Sequence, residues 1–158
     1  MMPRRDTTKA DRADLDQHVG YMLRQAQLAV FADFIASQSG PVTRPGQFSI
    51  LVVVGRSPGL SQARVCAALG IKRANLVAAI DDLESLGLVR RDASAADRRA
   101  NRLYLTPAGQ RALQHALDDQ AAHEARITRL LGTAGRKALL KQLAQLSKLS
   151  GFSKVSAL

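Results

Sequence analysis

Two groups of side chains in this sequence carry the chemistry of base-edge and anion recognition. Lys72, Arg73 and Asn75 fall within four residues, and Arg98, Arg99 and Arg102 within five, both inside the stretch IKRANLVAAIDDLESLGLVRRDASAADRRANRLYLTPAG from Ile71 to Gly109. A Lys or Arg can donate to the acceptors of guanine, and an Asn amide can pair with adenine. An arginine can also enter a narrow minor groove or neutralise a phosphate, the latter adding affinity without reading sequence. Asp97 stands two residues before Arg99. A carboxylate at that separation can hold the guanidinium in one orientation, so that less side-chain entropy is lost on binding. Arg98 and Arg102 fit the simpler task of meeting phosphate. Solvated cations on an ordinary basic surface are the alternative for all of these residues, and the elements that carry them decide between the two.

Leu76, Ile80 and Leu83, followed by Leu86, give a helix from about Lys72 to Leu86 one apolar face. Gly87 stops it. Leu88-Val89-Arg90-Arg91 and Arg102-Leu103-Tyr104-Leu105-Thr106 alternate apolar and polar, the period of strands with one buried face, and the ten residues between them are small, polar and basic. They read as a hairpin with a long charged tip. Thr106-Pro107 then opens another helix, because Thr suits the N-cap and Pro is tolerated where the N–H would be unbonded anyway. A helix followed by a basic ribbon is the layout of a winged helix-turn-helix, whose helix enters the DNA major groove while the wing reaches the flanking backbone or minor groove. In such complexes the first helical turn meets base edges, and Lys72, Arg73 and Asn75 fall there. Further along, Ala74, Val77 and Ala78 offer only apolar contact, such as to a thymine methyl.

The detail goes beyond the layout. Asp97-x-Arg99 with Leu103-x-Leu105-Thr106-Pro107-Ala108-Gly109 resembles the wing signature of the MarR family of bacterial transcription regulators, and Leu83-Glu84-x-Leu86-Gly87-Leu88-Val89-x-Arg91 resembles what precedes it there. The resemblance runs from about Leu15 to Leu149. It implies a wing-tip Arg99 oriented by Asp97, and a small, often aromatic or anionic effector bound between the first helix and the winged region. His18, Tyr21, Arg24 and Gln25 on the first helix are the candidate anchors for that effector, with ordinary surface polarity as the alternative. Members of the family often carry Ser and Thr in the first turn of the recognition helix. The Lys72 and Asn75 of this chain therefore leave its base preference open.

Elsewhere, Leu15, Val19, Met22, Ala26, Val30 and Phe34 trace one helical face from Asp14 onward, closed by Ser39-Gly40-Pro41. Thr43 can cap a second helix, from Arg44 to about Gly55. Its β-branched run of Ile50 and Val52 to Val54 argues locally for a strand, whereas the resemblance and the spacing of Phe48, Leu51 and Val52 favour helix. Pro58-Gly59 makes a turn, Ser61 caps a short third helix from Gln62 to Ala68, Leu60 is placed to staple onto Val65, and Leu69-Gly70-Ile71 turns into the recognition helix. After the ribbon, Pro107 to Leu131 carries Leu113, Leu117, Ala121, Ile127 and Leu131 on or near one face. Gly132 ends this helix, and Thr133 caps a last one with Leu139, Leu143, Leu146 and Leu149.

The expected fold is mainly α with a small β wing: a winged helix-turn-helix core flanked by N- and C-terminal dimerisation helices. It forms one domain over 1–158, with a flexible basic arm over 1–13, dimerisation helices over 14–38 and 107–150, and a DNA-binding region over 43–106. Apolar stripes this long exceed what one small winged domain can cover, which predicts a two-fold homodimer and a pseudo-palindromic operator in double-stranded DNA.

Composition narrows the alternatives. The 158 residues suit one domain with its own core, and a formal charge of +10 favours an anionic partner. Gly55 to Asn75 holds Arg56, Arg64, Lys72 and Arg73 with no acid. The single Cys66 excludes an internal disulfide and, beside Val65, reads as a core thiol rather than a redox switch. His115 and His123 read as solvated or interface histidines, because no acid or Cys cluster completes a ligand set; neither metal nor cofactor is expected. No Ser/His/Asp set, phosphate loop or apolar carboxylate pair points to an enzyme. No apolar run approaches ~18 residues and the first ten are polar, so a cytoplasmic location is expected, without a membrane span or signal peptide. The sequence therefore reads as a repressor released by a small ligand. A constitutive architectural protein that coats or bends DNA without an effector is the competing class, and it would lack the preference of ~10³-fold for a palindrome over random DNA. A basic membrane-associated helical protein is disfavoured by the ribbon.

Overall fold

The computed structural model describes residues 14–93 and 101–149. A single 3-10 turn, Leu15–Gln17, precedes α1 (Val19–Ser37). Then follow α2 (Pro45–Arg56), a two-residue strand β1 (Leu60–Ser61), α3 (Gln62–Leu69), α4 (Arg73–Ser85), β2 (Val89–Ala93), β3 (Asn101–Leu105) and α5 (Pro107–Leu146). Asp97, Arg98 and Arg99, and the arm over 1–13, lie outside the described residues.

The core forms where α2, α3 and α4 meet the sheet, and Ile50, Leu51, Val54, Val65, Leu76, Ile80, Leu83 and Leu103 are all fully buried in it. This explains why α2 is a helix despite its β-branched run. Ile50, Leu51 and Val54 fall on one helical face, and burying each contributes about 1.5–3 kcal/mol, several times the few tenths per residue lost in helix propensity. Thr43 is not its cap. Arg44 holds that position in an extended conformation with no side-chain bond, and Pro45, whose φ is already helical, starts the helix. For α3 the expected cap is present, with Ser61 Oγ accepting from the Arg64 N–H at 3.4 Å.

The ribbon is part of a three-stranded antiparallel sheet in the order β1-β3-β2. Val89 faces Leu105 and Arg91 faces Leu103 across β2 and β3, while Leu60 pairs with Leu103 from the other side. A two-residue strand such as β1 is too short to show a period in the sequence. At the end of β3 the Thr106 hydroxyl accepts from the Gly109 N–H at 2.9 Å and donates to Gly87 O at 2.6 Å, tying the start of α5 to the α4–β2 corner.

The helices from the two chain ends differ from expectation in a way that bears on assembly. The stripe from Leu15 is interrupted at His18, which is extended (φ −97, ψ 119), and of α1 only Phe34 is buried. Val19 is 60% exposed and Met22 47%. On α5 the buried positions are Gly109, Ala112 and Ala116, a small-residue face that lets the helix approach the core closely, and His123 further along. Leu117, Leu130, Leu131, Leu139 and Leu140 are left exposed. Gly132 (φ 69, ψ 159) divides α5 into two limbs, in a backbone conformation that is essentially reserved for glycine and costs other residues ~1–3 kcal/mol. The long apolar faces of α1 and α5 have no partner among the described residues of one chain.

Candidate nucleic-acid interface

Burial of Leu76, Ile80 and Leu83 turns the opposite side of α4 outward, and Lys72, Arg73, Ala74, Asn75 and Ala78 are all exposed. Lys72 is the N-cap residue, makes no capping bond, and is followed by no acid in the first turn. Two cations at the positive end of a helix dipole cost roughly 0.3–1 kcal/mol each, and the first-turn N–H groups lack intrahelical partners. An anion at this end would offset both. The turn is therefore poorly arranged for stability and well arranged for a phosphate or a base edge. Arg56 and Arg64 are exposed as well.

The second half of α4 carries three carboxylates that would repel DNA if left bare, and each is matched by an arginine. Arg91 Nη1 donates to Glu84 Oε2 at 2.6 Å and its Nη2 donates to Asp81 Oδ1, while Arg44 Nη1 donates to Asp82 Oδ2 at 2.9 Å. The Arg44–Asp82 pair is well exposed and contributes less than about 1 kcal/mol. Within the ribbon, Arg90 stacks over the Tyr104 ring at 4.7 Å and pairs with Asp92. Arg102 is exposed, and its Nη1 donates to Gly59 O at 2.9 Å, a tether between β3 and the turn after α2 that sequence reasoning missed.

His18, Tyr21, Arg24 and Gln25 lie on α1 or its cap; Tyr21 is half-buried and the other three are exposed. Two cavities of about 280 and 250 Å³ lie elsewhere, one between α2 and α3 and the other beside Tyr104, and none of the four residues lines either.

His123 is not a solvated histidine. It is 2% exposed, its Nδ1 lies 2.7 Å from Asp33 Oδ2, and Phe34 meets its ring edge-on at 5.8 Å. Arg126 donates to the same carboxylate oxygen from Nε and Nη2, at 3.1 and 2.9 Å. Hydrogen bonds from Arg126, and then from His123, hold the Asp33 carboxyl below its ordinary pKa. This cluster joins α1 to α5, and no local pattern signals it, because Asp33 and His123 are ninety residues apart. His115 instead pairs with Asp119 one turn along. Among the described residues no group of His, Cys, Asp and Glu could hold a metal ion, and no helix is long and apolar enough to cross a membrane. Cys66 is half-buried, packed against the core.

Comparison with known proteins agrees with this geometry. The MarR family profile matches residues 41–100. The chain is similar, at 42% identity, to the transcriptional repressor CouR bound to a 23-mer DNA duplex, over 86% of this chain and 96% of that one, with a TM-score of 0.80. CouR bound to p-coumaroyl-CoA is similar at 40% identity, over 85% and 95% of the two chains, with a TM-score of 0.79. A candidate transcriptional regulatory protein for the hcr operon of Thauera aromatica is 38% identical over 98 residues, 60% of this chain and 58% of that protein. The match thus spans little more than half of that relative's length.

Proposed function

Because this chain belongs to the MarR family of transcription regulators, we propose that it is a homodimeric repressor that holds a pseudo-palindromic operator in double-stranded DNA and releases it when a small ligand binds. The observation that carries the reading is the first turn of α4, with Lys72, Arg73 and Asn75 exposed at an uncapped, acid-free helix N-terminus. In this reading those three side chains meet base edges in the major groove, Arg99 oriented by Asp97 enters the flanking minor groove, and Arg98 and Arg102 meet phosphate. The segment over 43–106 is the DNA-binding region, and 14–38 and 107–150 supply the dimer helices, whose exposed leucines a second copy would cover. DNA as the partner puts the protein in the cytoplasm.

The ligand class follows from the relatives: CouR at 40% identity is bound to p-coumaroyl-CoA, so a small aromatic acid or its thioester is the first candidate. His18, Tyr21, Arg24 and Gln25 are the candidate anchors, in a pocket that a second copy helps to close. Such a ligand releases DNA only if it binds the free conformation more tightly than the bound one. The test is to select bound fragments from random duplex DNA, and then to challenge the complex with aromatic acids and their thioesters. The expected result is one palindromic motif and a ligand that lowers its affinity. Fragments without a common motif would instead favour a DNA-coating protein.

A further inference from the structure

One side chain couples the recognition helix to the ribbon. Arg91 lies in β2, and both ends of its guanidinium are used on α4, with Nη1 on Glu84 and Nη2 on Asp81. These acids stand three apart, one helical turn, so a planar group spanning both is held against swivelling in a way that a single ion pair is not. The Arg91 side chain is only 19% exposed, against 69% for Arg44 in the neighbouring pair. Its backbone is fixed from the other side as well, since Arg91 sits opposite Leu103, which is fully buried. The ribbon thus reaches α4 through a clamped cation at the strand's midpoint.

We propose that Arg91 is a positioning residue for operator recognition: it sets the angle between α4 and the ribbon, so that ribbon contacts at the operator flanks fall in register with α4 contacts in the major groove. The inference rests on the reading above that both elements meet DNA. Charge offers the rival account, since Arg91 neutralises two carboxylates that would repel phosphate whatever the sequence. The two accounts predict opposite signs for Asp81→Asn combined with Glu84→Gln. That variant is two charges more positive, which by itself tightens binding to any DNA, yet it has lost the clamp.

The experiment compares the operator recovered by selection with a duplex trimmed of its flanking base pairs. Wild type should prefer the full operator by about tenfold, the scale of one good groove contact. In Arg91→Ala and in Asp81→Asn/Glu84→Gln that preference should fall towards one. The double variant should bind the trimmed duplex as well as wild type or better. Arg91→Lys, which keeps the charge but reaches one acid at a time, should recover part of the preference. A wild-type preference retained in the double variant, or a loss equal on both duplexes, overturns the positioning role. If wild type itself shows no preference for the flanks, the ribbon reading fails first and the inference with it. Should Arg91→Ala lose its helical spectrum, the double variant, which preserves side-chain volume, carries the test.

Discussion

Gly109→Ala should lower the unfolding temperature by about 10 °C, from a loss of roughly 3 kcal/mol in a chain of this size. An alanine in an unobstructed helix interior is better than glycine by about 0.5–1 kcal/mol, so propensity alone predicts the opposite sign. The packing decides. A Cβ at Gly109 would overlap the carbonyl oxygen of Leu88 and come within 2.8 Å of its carbonyl carbon. That carbonyl cannot easily retreat, because its oxygen accepts from the Thr106 N–H at 3.0 Å while the Leu88 N–H donates to Leu83 O at 2.9 Å. The strain therefore falls on the corner where α4, β2 and α5 meet, and operator affinity should drop with stability. Gly135→Ala, on the same helix with only ordinary contact to Leu131 Cβ at 3.6 Å, is the control and should be neutral or slightly stabilising. Thermal melts of the two variants beside wild type check this, and a Gly109→Ala melt within 2 °C or so of wild type would mean that the corner yields cheaply.

The second large effect should come from charging the uncovered helix faces. Met22 and Leu139 are 47% and 40% exposed in the single chain, so aspartates there should leave its own fold intact. In a two-fold dimer each substitution enters twice, and an unpaired carboxylate driven into an apolar interface costs several kcal/mol. Met22→Asp with Leu139→Asp should therefore weaken dimerisation by ~10³-fold or more. Operator affinity should fall with it, because a monomer reads only one half-site. Sedimentation at micromolar concentration with an unchanged helical spectrum checks both; a variant that stays dimeric would place the interface elsewhere.

What the sequence disclosed followed from period and punctuation. The α4 face of Leu76, Ile80 and Leu83, the Thr106 cap with Pro107, and the break at Gly132 all occur where spacing and residue type put them. Elements set by distant partners were less legible. β1 has two residues and exists because Leu60 pairs with Leu103. The face of α5 that packs on the core is Gly109, Ala112, Ala116 and His123, which a search for leucines overlooks, while leucines such as Leu117 and Leu131 lie outside. The same holds for the candidate site. The exposed cations of α4 were readable from its period, whereas the Arg91 clamp, the Arg102 tether and the Asp33–His123–Arg126 cluster depend on contacts between elements that no local pattern encodes.

Reading of operator bases by the first turn of α4 is tested most directly by titrating the selected operator and random duplex with wild type and with Arg73→Ala/Asn75→Ala. Wild type should prefer the operator by about 10³-fold, and the variant, having lost two base contacts worth roughly 1–3 kcal/mol each, by about tenfold, with random-duplex affinity changed far less. An operator preference as large in a folded, dimeric variant as in wild type would contradict it.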